Sequence, residues 1–278
     1  MKIAIIGLGF VGKATLNGLN NDVETLLIDP KLDTCTKQLE AFNPNFVFVC
    51  VPTPMGENGS INANILMDVL NDIERYCPET ITIIKSTVTP DIIKSVMNSK
   101  INLVYNPEFL RERTAEEDFI NSKMIIFGGS KDNCKKTADL YKNYTKCKCS
   151  DYQFMPADKA SLLKYTVNSF LAAKVLFFNE IHYLFERLDT NMSWQDFISV
   201  LQLDSRIGNS HMDVPGPDGR YGFGGACFPK DTSALYEFSK SHEANLELLK
   251  KAIEKNNSIR ASYHDLDERE KEQNVQFN

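Results

Sequence analysis

The segment KIAIIGLGFVG, residues 2–12, constrains the fold more than any other stretch of this chain. An apolar β-rich run leads directly into glycines at 7, 9 and 12 and then into a helical pattern. A strand that turns through glycines into a helix is the opening unit of an open α/β sheet. Runs of the same kind recur: ETLLID, NFVFVCVPTP, TITIIKSTV, INLVYNPEF and KMIIFGG, alternating with helical stretches. Near-continuous Val, Ile and Phe predict strands buried on both faces, as in a parallel sheet covered by helices. Six strands are expected, in a doubly wound α/β arrangement.

Each glycine of the first turn has its own physical reason. Gly7 allows the tight turn, Gly9 lets backbone approach a pyrophosphate, and Gly12 lets helix pack on strand. The helix N-terminus then offers unpaired N–H groups and the positive end of its dipole to an anion. Asp29 ends the second strand 22 residues after Gly7, where a carboxylate accepts hydrogen bonds from ribose hydroxyls. It would repel the 2′-phosphate of NADP, so NAD is the expected cofactor, while Lys31 is a cation able to tolerate that phosphate. Residues 1–154 are expected to form an NAD-binding, Rossmann-type domain.

The pattern changes after CSDYQFMPADKAS. From Ala157 to Asp189 there is neither glycine nor proline, and apolar residues recur at helical spacing. A helix of that length spans roughly 48 Å. Its many aromatic residues (Phe170, Phe177, Phe178, Tyr183, Phe185) leave little polar surface, which predicts packing against a second copy of the chain. A shorter helix is expected over Ser193–Leu201, a Gly/Pro loop over Gly208–Phe228 and one more helix over Ser233–Ser262. Residues 155–262 thus form a helical domain with one long central helix, and 263–278 a polar, frayed tail.

Composition removes several function classes. A net charge of -6 argues against a nucleic-acid footprint, which needs a basic face. The longest apolar runs are strand-length, far short of the roughly 20 residues a membrane helix needs. No signal-peptide pattern precedes the first strand, so a cytoplasmic location is expected. The seven cysteines show no CxxC pairing, and Cys147 with Cys149 lacks further ligands nearby, so neither a disulfide framework nor a metal site is expected.

One cysteine has unusual neighbours. GFGGACFPKD, Gly222–Asp231, sets Cys227 between glycines and a Pro-Lys-Asp exit. Lys230 and nearby N–H groups would lower the thiol pKa and favour the nucleophilic form. Lys164 and Asn168 stand four apart on the long helix and share a face within an apolar stretch. At this point the chain resembles the UDP-glucose/GDP-mannose dehydrogenases, through GLGFVG, VPTP, KSTV, NPEFLRE, KYTVNSFLAAKVLFFNE, DSRIG and GFGGACFPKD in the family's order, over residues 1 to about 262.

The resemblance implies an NAD-dependent oxidation of the C6 alcohol of a nucleotide sugar, UDP-glucose foremost, to a carboxylate. Two hydrides must leave in turn, and a thiolate can hold the aldehyde between them and become a thioester. Cys227 is then the nucleophile. Asp231 orders a water acting as base together with Thr87, and Lys164 and Asn168 stabilise the C6 oxyanion. Of the NPEFLRE segment, Glu108, Phe109 and Leu110 contact substrate and Glu112 activates the hydrolytic water; the two carboxylates share a face if the segment is helical. Val11 and Thr53 correspond to cofactor contacts, as does Lys230 if it faces the cofactor rather than the thiol. Gly224 lies against the sugar. Arg206 reaches the substrate of a neighbouring subunit in a homodimer built on the long helix.

Two departures accompany the resemblance. Family members continue into a second nucleotide-binding domain, whereas this sequence stops about 50 residues after Cys227. A separate chain supplying that domain, a more open cleft, or reduced or lost activity are the three expectations. The loop NSHMDVPGPDGRYGFGG is also longer than in the bacterial UDP-glucose enzymes, which leaves the sugar and base open. Two other functions compete. A β-hydroxyacid NAD dehydrogenase would also join such a sheet to a helix bearing Lys-x-x-x-Asn, and a non-catalytic protein could hold NAD or a nucleotide sugar without turnover.

Overall fold

The computed structural model describes residues 1–188 and 191–277, and these divide into two compact units. The first comprises residues 1–53 and 62–164, the second 54–61 and 165–278. Asp189, where the expected long helix was to end, and Asn278, the last residue of the tail, lie outside the described residues.

The first unit holds a seven-stranded sheet: β1 (Lys2–Ile6), β2 (Glu24–Ile28), β3 (Phe46–Val49), β4 (Ile81–Ile84), β5 (Asn102–Tyr105), β6 (Ile125–Gly129) and β7 (Tyr152–Met155). The strand order is β2-β1-β3-β4-β5-β6-β7. Every pair is parallel except β5 with β6. The six expected strands are all present, and the Rossmann-type doubly wound sheet is the observed fold; one antiparallel pair and a seventh strand modify it. β7 falls in CSDYQFMPADKAS, to which none of the six expected strands belongs. It is an edge strand with a half-exposed pattern, so it lacks the apolar run that marks β3 and β4, which are buried throughout.

Helices α1 (Phe10–Asn17), α2 (Gln38–Phe42), α3 (Asn64–Tyr76), α4 (Pro90–Val96), α5 (Ala115–Ile120) and α6 (Lys131–Tyr144) connect the strands. The core gathers Ile3, Ile5, Phe48, Ile83, Val104 and Phe127 from the strands with Phe119 and Tyr141 from α5 and α6. Each such side chain removed from water contributes roughly 1.5–3 kcal/mol, which holds the strand ends in register.

A single helix, α7 (Ala157–Phe185), begins in the first unit and continues into the second. Alongside its later turns the second unit contains α8 (Trp194–Leu201), α9 (Phe228–Lys240), α10 (Glu247–Arg260) and α11 (Glu268–Glu272). Two expectations need correction. The helix expected over Ser233–Ser262 starts earlier and is broken between α9 and α10, where Glu243 takes a left-handed φ of 54° and the Ala244 N–H turns back to Ser239 O at 3.0 Å. The polar tail is not frayed: Asp267 caps α11 in a reciprocal box with Glu270, whose carboxylate is fully buried.

Candidate active site

In the first unit the glycine turn has the geometry its residues imply. Gly7 takes φ +89°, and a Cβ there would stand 2.7 Å from Cys50 O. At Gly12 a Cβ would meet Gly7 O at 1.9 Å, so α1 can approach β1 only with glycine at this position. Gly9 caps α1 and has no atom within 4 Å of where a Cβ would be, an open cradle for an anionic group. Half-buried Val11 lies in the first turn of α1. Asp29 accepts the Leu8 N–H at 2.7 Å on one oxygen and the Lys31 N–H at 2.9 Å on the other. The carboxylate thus fastens the glycine turn to the end of β2 and keeps lone pairs for ribose hydroxyls, while the Lys31 side chain is exposed. Thr53 is buried and donates its hydroxyl to Thr87 O at 2.7 Å, joining the loops after β3 and β4.

The NPEFLRE segment is not helical up to Arg111, so Glu108 and Glu112 do not come to share a helix face. The residue before Pro107 is driven to extended backbone, and the segment leaves β5 as an irregular loop. Glu108 is 6% exposed, while Glu112 opens a short 3-10 turn at the surface. One Glu108 oxygen accepts from Lys164 Nζ at 3.3 Å and the other from the Leu110 N–H at 2.6 Å. Lys164 is itself 3% exposed and lies 5.3 Å from the centre of the Phe109 ring. Its burial replaces the snorkelling position an exposed helix lysine would take.

Behind this loop is a polar network that the sequence reading did not single out. Lys85 Nζ donates to Asn106 Oδ1 at 2.9 Å, Tyr141 OH donates to the same oxygen at 2.6 Å, and Asn106 Nδ2 donates to Ile126 O at 2.9 Å. Burial holds the Lys85 ammonium below its usual pKa and pushes the neighbouring Cys50 thiol up to about 12. The network seats the chain just before Glu108. Its only sequence signal was a lysine, an asparagine and a tyrosine inside otherwise apolar elements.

In the second unit Cys227 occupies the N-cap of α9, and Phe228 and Pro229 are the first residues of the helix beyond it. Asp231, 1% exposed, lies one turn in, and its N–H bonds to Cys227 O at 2.9 Å. Its carboxylate receives Asn168 Nδ2 at 2.6 Å on one oxygen and Lys230 Nζ at 2.6 Å on the other. Asn168, Asp231 and Lys230 are thus brought into one buried cluster by α7 and α9. Arg206 is exposed and clamps Asp204 through Nε at 2.9 Å and Nη2 at 2.5 Å. Gly224 is packed against Arg260, which a Cβ would meet at 2.0 Å.

Among the described residues no three His, Cys, Asp or Glu side chains are grouped to hold a metal, and no helix is long and apolar enough to cross a membrane. The glycine cradle and the Asp29 lone pairs fit a dinucleotide.

Comparison with known proteins places these features. Residues 17–145 match the NAD binding domain, and residues 158–258 the central domain, of the UDP-glucose/GDP-mannose dehydrogenase family. A UDP-glucose 6-dehydrogenase of Rickettsia felis is 31% identical over 92% of this chain and 64% of its own length. One of Campylobacter jejuni is 30% identical over 95% of this chain and 73% of its own length. The chain spans about half to two thirds of the length of the first Rickettsia relatives. Among solved structures, a UDP-glucose dehydrogenase from Pyrobaculum islandicum superposes with a TM-score of 0.78 at 25% identity, covering 92% of this chain and 68% of that one. A 3-hydroxyisobutyrate dehydrogenase of Mycobacterium tuberculosis shares the fold at a TM-score of 0.73 and 18% identity, covering 96% of both chains. With both domain signatures matched in order and a 30% identical relative covered over 73% of its length, the chain belongs to the UDP-glucose/GDP-mannose dehydrogenase family.

Proposed function

We propose that this chain carries the catalytic machinery of an NAD-dependent nucleotide-sugar 6-dehydrogenase, acting in the cytoplasm on a UDP-sugar of the UDP-glucose type. The observation that carries the reading is the thiol at the N-cap of α9, followed one turn later by a buried Asp231 that holds both Asn168 and Lys230. A thiol placed only for packing needs no such cluster.

The roles follow from donor and acceptor chemistry. Gly7, Gly9, Val11, Gly12, Asp29 and Thr53 would hold the dinucleotide, with Lys230 at its nicotinamide end. When bound, NAD+ takes up one hydride from C6 at each of two oxidations. Asp231, through a water ordered with Thr87, takes the hydroxyl proton in the first. Cys227 then adds as thiolate to the aldehyde carbon, and Lys164 and Asn168 supply the cation and amide donor for the oxygen charge that forms. Loss of the second hydride leaves a thioester on the sulfur. Water adds to it, the carbon–sulfur bond breaks, and thiolate and sugar carboxylate result.

For that last step Glu108, in place of Glu112, is in this reading the carboxylate that removes the proton of water. Its buried pairing with Lys164 sets it apart from surface Glu112, whose exposure suits a contact to the nucleotide sugar. Phe109, Leu110 and Gly224 complete the substrate contacts in this reading. Purified protein given UDP-glucose and excess NAD+ is expected to form two NADH per sugar, with uronate as the product. NADH in a one-to-one ratio with an aldehyde product reduces the reading to an alcohol dehydrogenase, and binding of both ligands without NADH leaves a non-catalytic protein.

The partner in this reading is a second copy of the chain. Phe170, Phe177 and Leu184 recur every seventh residue on α7, so they form one stripe, and they are 67%, 57% and 55% exposed. Burying such a stripe against its copy would place exposed Arg206 where a guanidinium can reach the neighbour's pyrophosphate or sugar. Light scattering after gel filtration should give twice the chain mass. A Phe170→Glu, Phe177→Glu double variant should give the mass of one chain; an unchanged dimer would move the interface elsewhere.

A further inference from the structure

The backbone leading to Cys227 is held almost residue by residue by side chains. The Gly222 N–H donates to Asn179 Oδ1 at 2.7 Å, the Phe223 N–H to Asn256 Oδ1 at 2.7 Å, and the Gly225 N–H to Glu270 Oε1 at 3.1 Å. Asn256 Nδ2 returns a bond to Phe223 O at 2.9 Å. The anchors come from α7, α10 and α11, and stand 43, 33 and 45 positions from the residues they hold. Such a loop keeps one trace only while its anchors stay fixed.

The Glu270 anchor is the most strongly fixed. Oε1 also accepts from Arg260 Nη2 at 2.7 Å, and Oε2 accepts the Asp267 N–H at 3.0 Å. Arg260 Nη1 reaches on to Asp218 Oδ2 at 2.6 Å. Arg260 is 2% and Glu270 0% exposed, so both charges are fully withdrawn from water. A buried ion pair of this kind is weak evidence for added stability and better evidence for a specified geometry. The geometry it specifies is local to the glycines: a Cβ at Gly224 would stand 2.0 Å from Arg260 Nη2 and 2.5 Å from Glu270 Oε1. The segment bearing Glu270 is in turn tied down, since the Met55 N–H donates to Gln273 O at 2.9 Å and Val275 is buried.

We propose that Arg260 and Glu270 are positioning residues for Cys227. By fixing Gly224 and Gly225 they set the direction in which the chain enters α9, and with it the stance of the sulfur against the first N–H groups of that helix. The proposal rests on the reading of Cys227 as the nucleophile, and its test is therefore made on the thiol and not on turnover.

Iodoacetamide alkylation of the intact chain, followed by peptide mass spectrometry between pH 6 and 9, gives the rate at Cys227, with exposed Cys35 as reference in the same molecule. Glu270→Ala frees the Gly225 N–H; Glu270→Gln retains an oxygen to accept it. In Glu270→Ala the Cys227 rate at pH 7, relative to Cys35, should fall at least fivefold and its pH midpoint should rise, and Glu270→Gln should recover the native rate to within twofold. A folded Glu270→Ala protein with an unchanged or faster Cys227 rate overturns the proposal. If that variant does not fold, amide exchange in the unaltered protein decides: the Gly225 N–H should exchange at least a hundredfold slower than open chain, and open-chain exchange overturns the proposal equally. A protein that forms no NADH but shows the alkylation changes refutes the dehydrogenase reading and leaves the positioning pair intact.

Discussion

Cys227→Ser is expected to lower uronate formation by at least about 10³-fold, a loss of roughly 4 kcal/mol of transition-state stabilisation. A serine hydroxyl is far less ionised than a thiol at neutral pH and is the weaker nucleophile toward an aldehyde carbon. Oxygen in place of sulfur is nearly isosteric at the half-buried N-cap, so the unfolding midpoint should stay within about 2 °C, the shift expected for a change below 0.5 kcal/mol. Asn168, Asp231 and Lys230 keep their bonds, and the first oxidation should persist, observed as aldehyde with one NADH per sugar. A β-hydroxyacid dehydrogenase, whose chemistry needs no thiol, would be indifferent to the same change. A variant that still delivers two NADH per sugar at the native rate would remove Cys227 from the mechanism.

Much of the first unit was legible because its signals are local. The strands β1 to β6 are apolar runs bounded by turn residues, and the glycine positions follow from contacts that only a missing Cβ permits. What escaped depends on tertiary context. β7 is an edge strand with Phe154 half exposed, so no apolar run marks it. The break between α9 and α10 contains neither glycine nor proline and is made by Glu243 in a left-handed conformation, which composition does not announce. α11 did carry a readable signal, Asp267 three residues before Glu270, but the polar composition of the tail outweighed it. The buried pairs Glu108 with Lys164 and Asn168 with Asp231 join residues 56 and 63 positions apart, so spacing alone could not pair them. Helical spacing singled out Lys164 with Asn168, but only the resemblance gave these four residues their roles. The Lys85, Asn106 and Tyr141 network and the Arg260–Glu270 pair had neither spacing nor resemblance to reveal them.

Lys164→Met separates the two jobs of the Lys164–Glu108 pair. Methionine fits the apolar stem of lysine but leaves Glu108 buried without its cation, and breaking a buried pair in this way costs about 3–5 kcal/mol of stability. The variant should therefore unfold at markedly lower denaturant concentration than the native chain. Adding Glu108→Gln removes the stranded charge while keeping an acceptor for the Leu110 N–H, so the double variant should regain most of the lost stability. Activity should not return with it. If Lys164 supplies the cation for the C6 oxygen, both variants stay at least about 10³-fold below the native single-turnover rate of NADH formation, which precedes hydrolysis and does not use the Glu108 base, since removing one such electrostatic donor typically costs 10² to 10³ and a full charge more. Denaturant titration and the single-turnover rate, measured on the native chain, Lys164→Met, Glu108→Gln alone and the double variant, form a double-mutant cycle, in which stability couples the two residues and catalysis does not rescue. Recovery of that rate in the double variant would mean that Lys164 acts only by neutralising Glu108, and the oxyanion role would pass to Asn168.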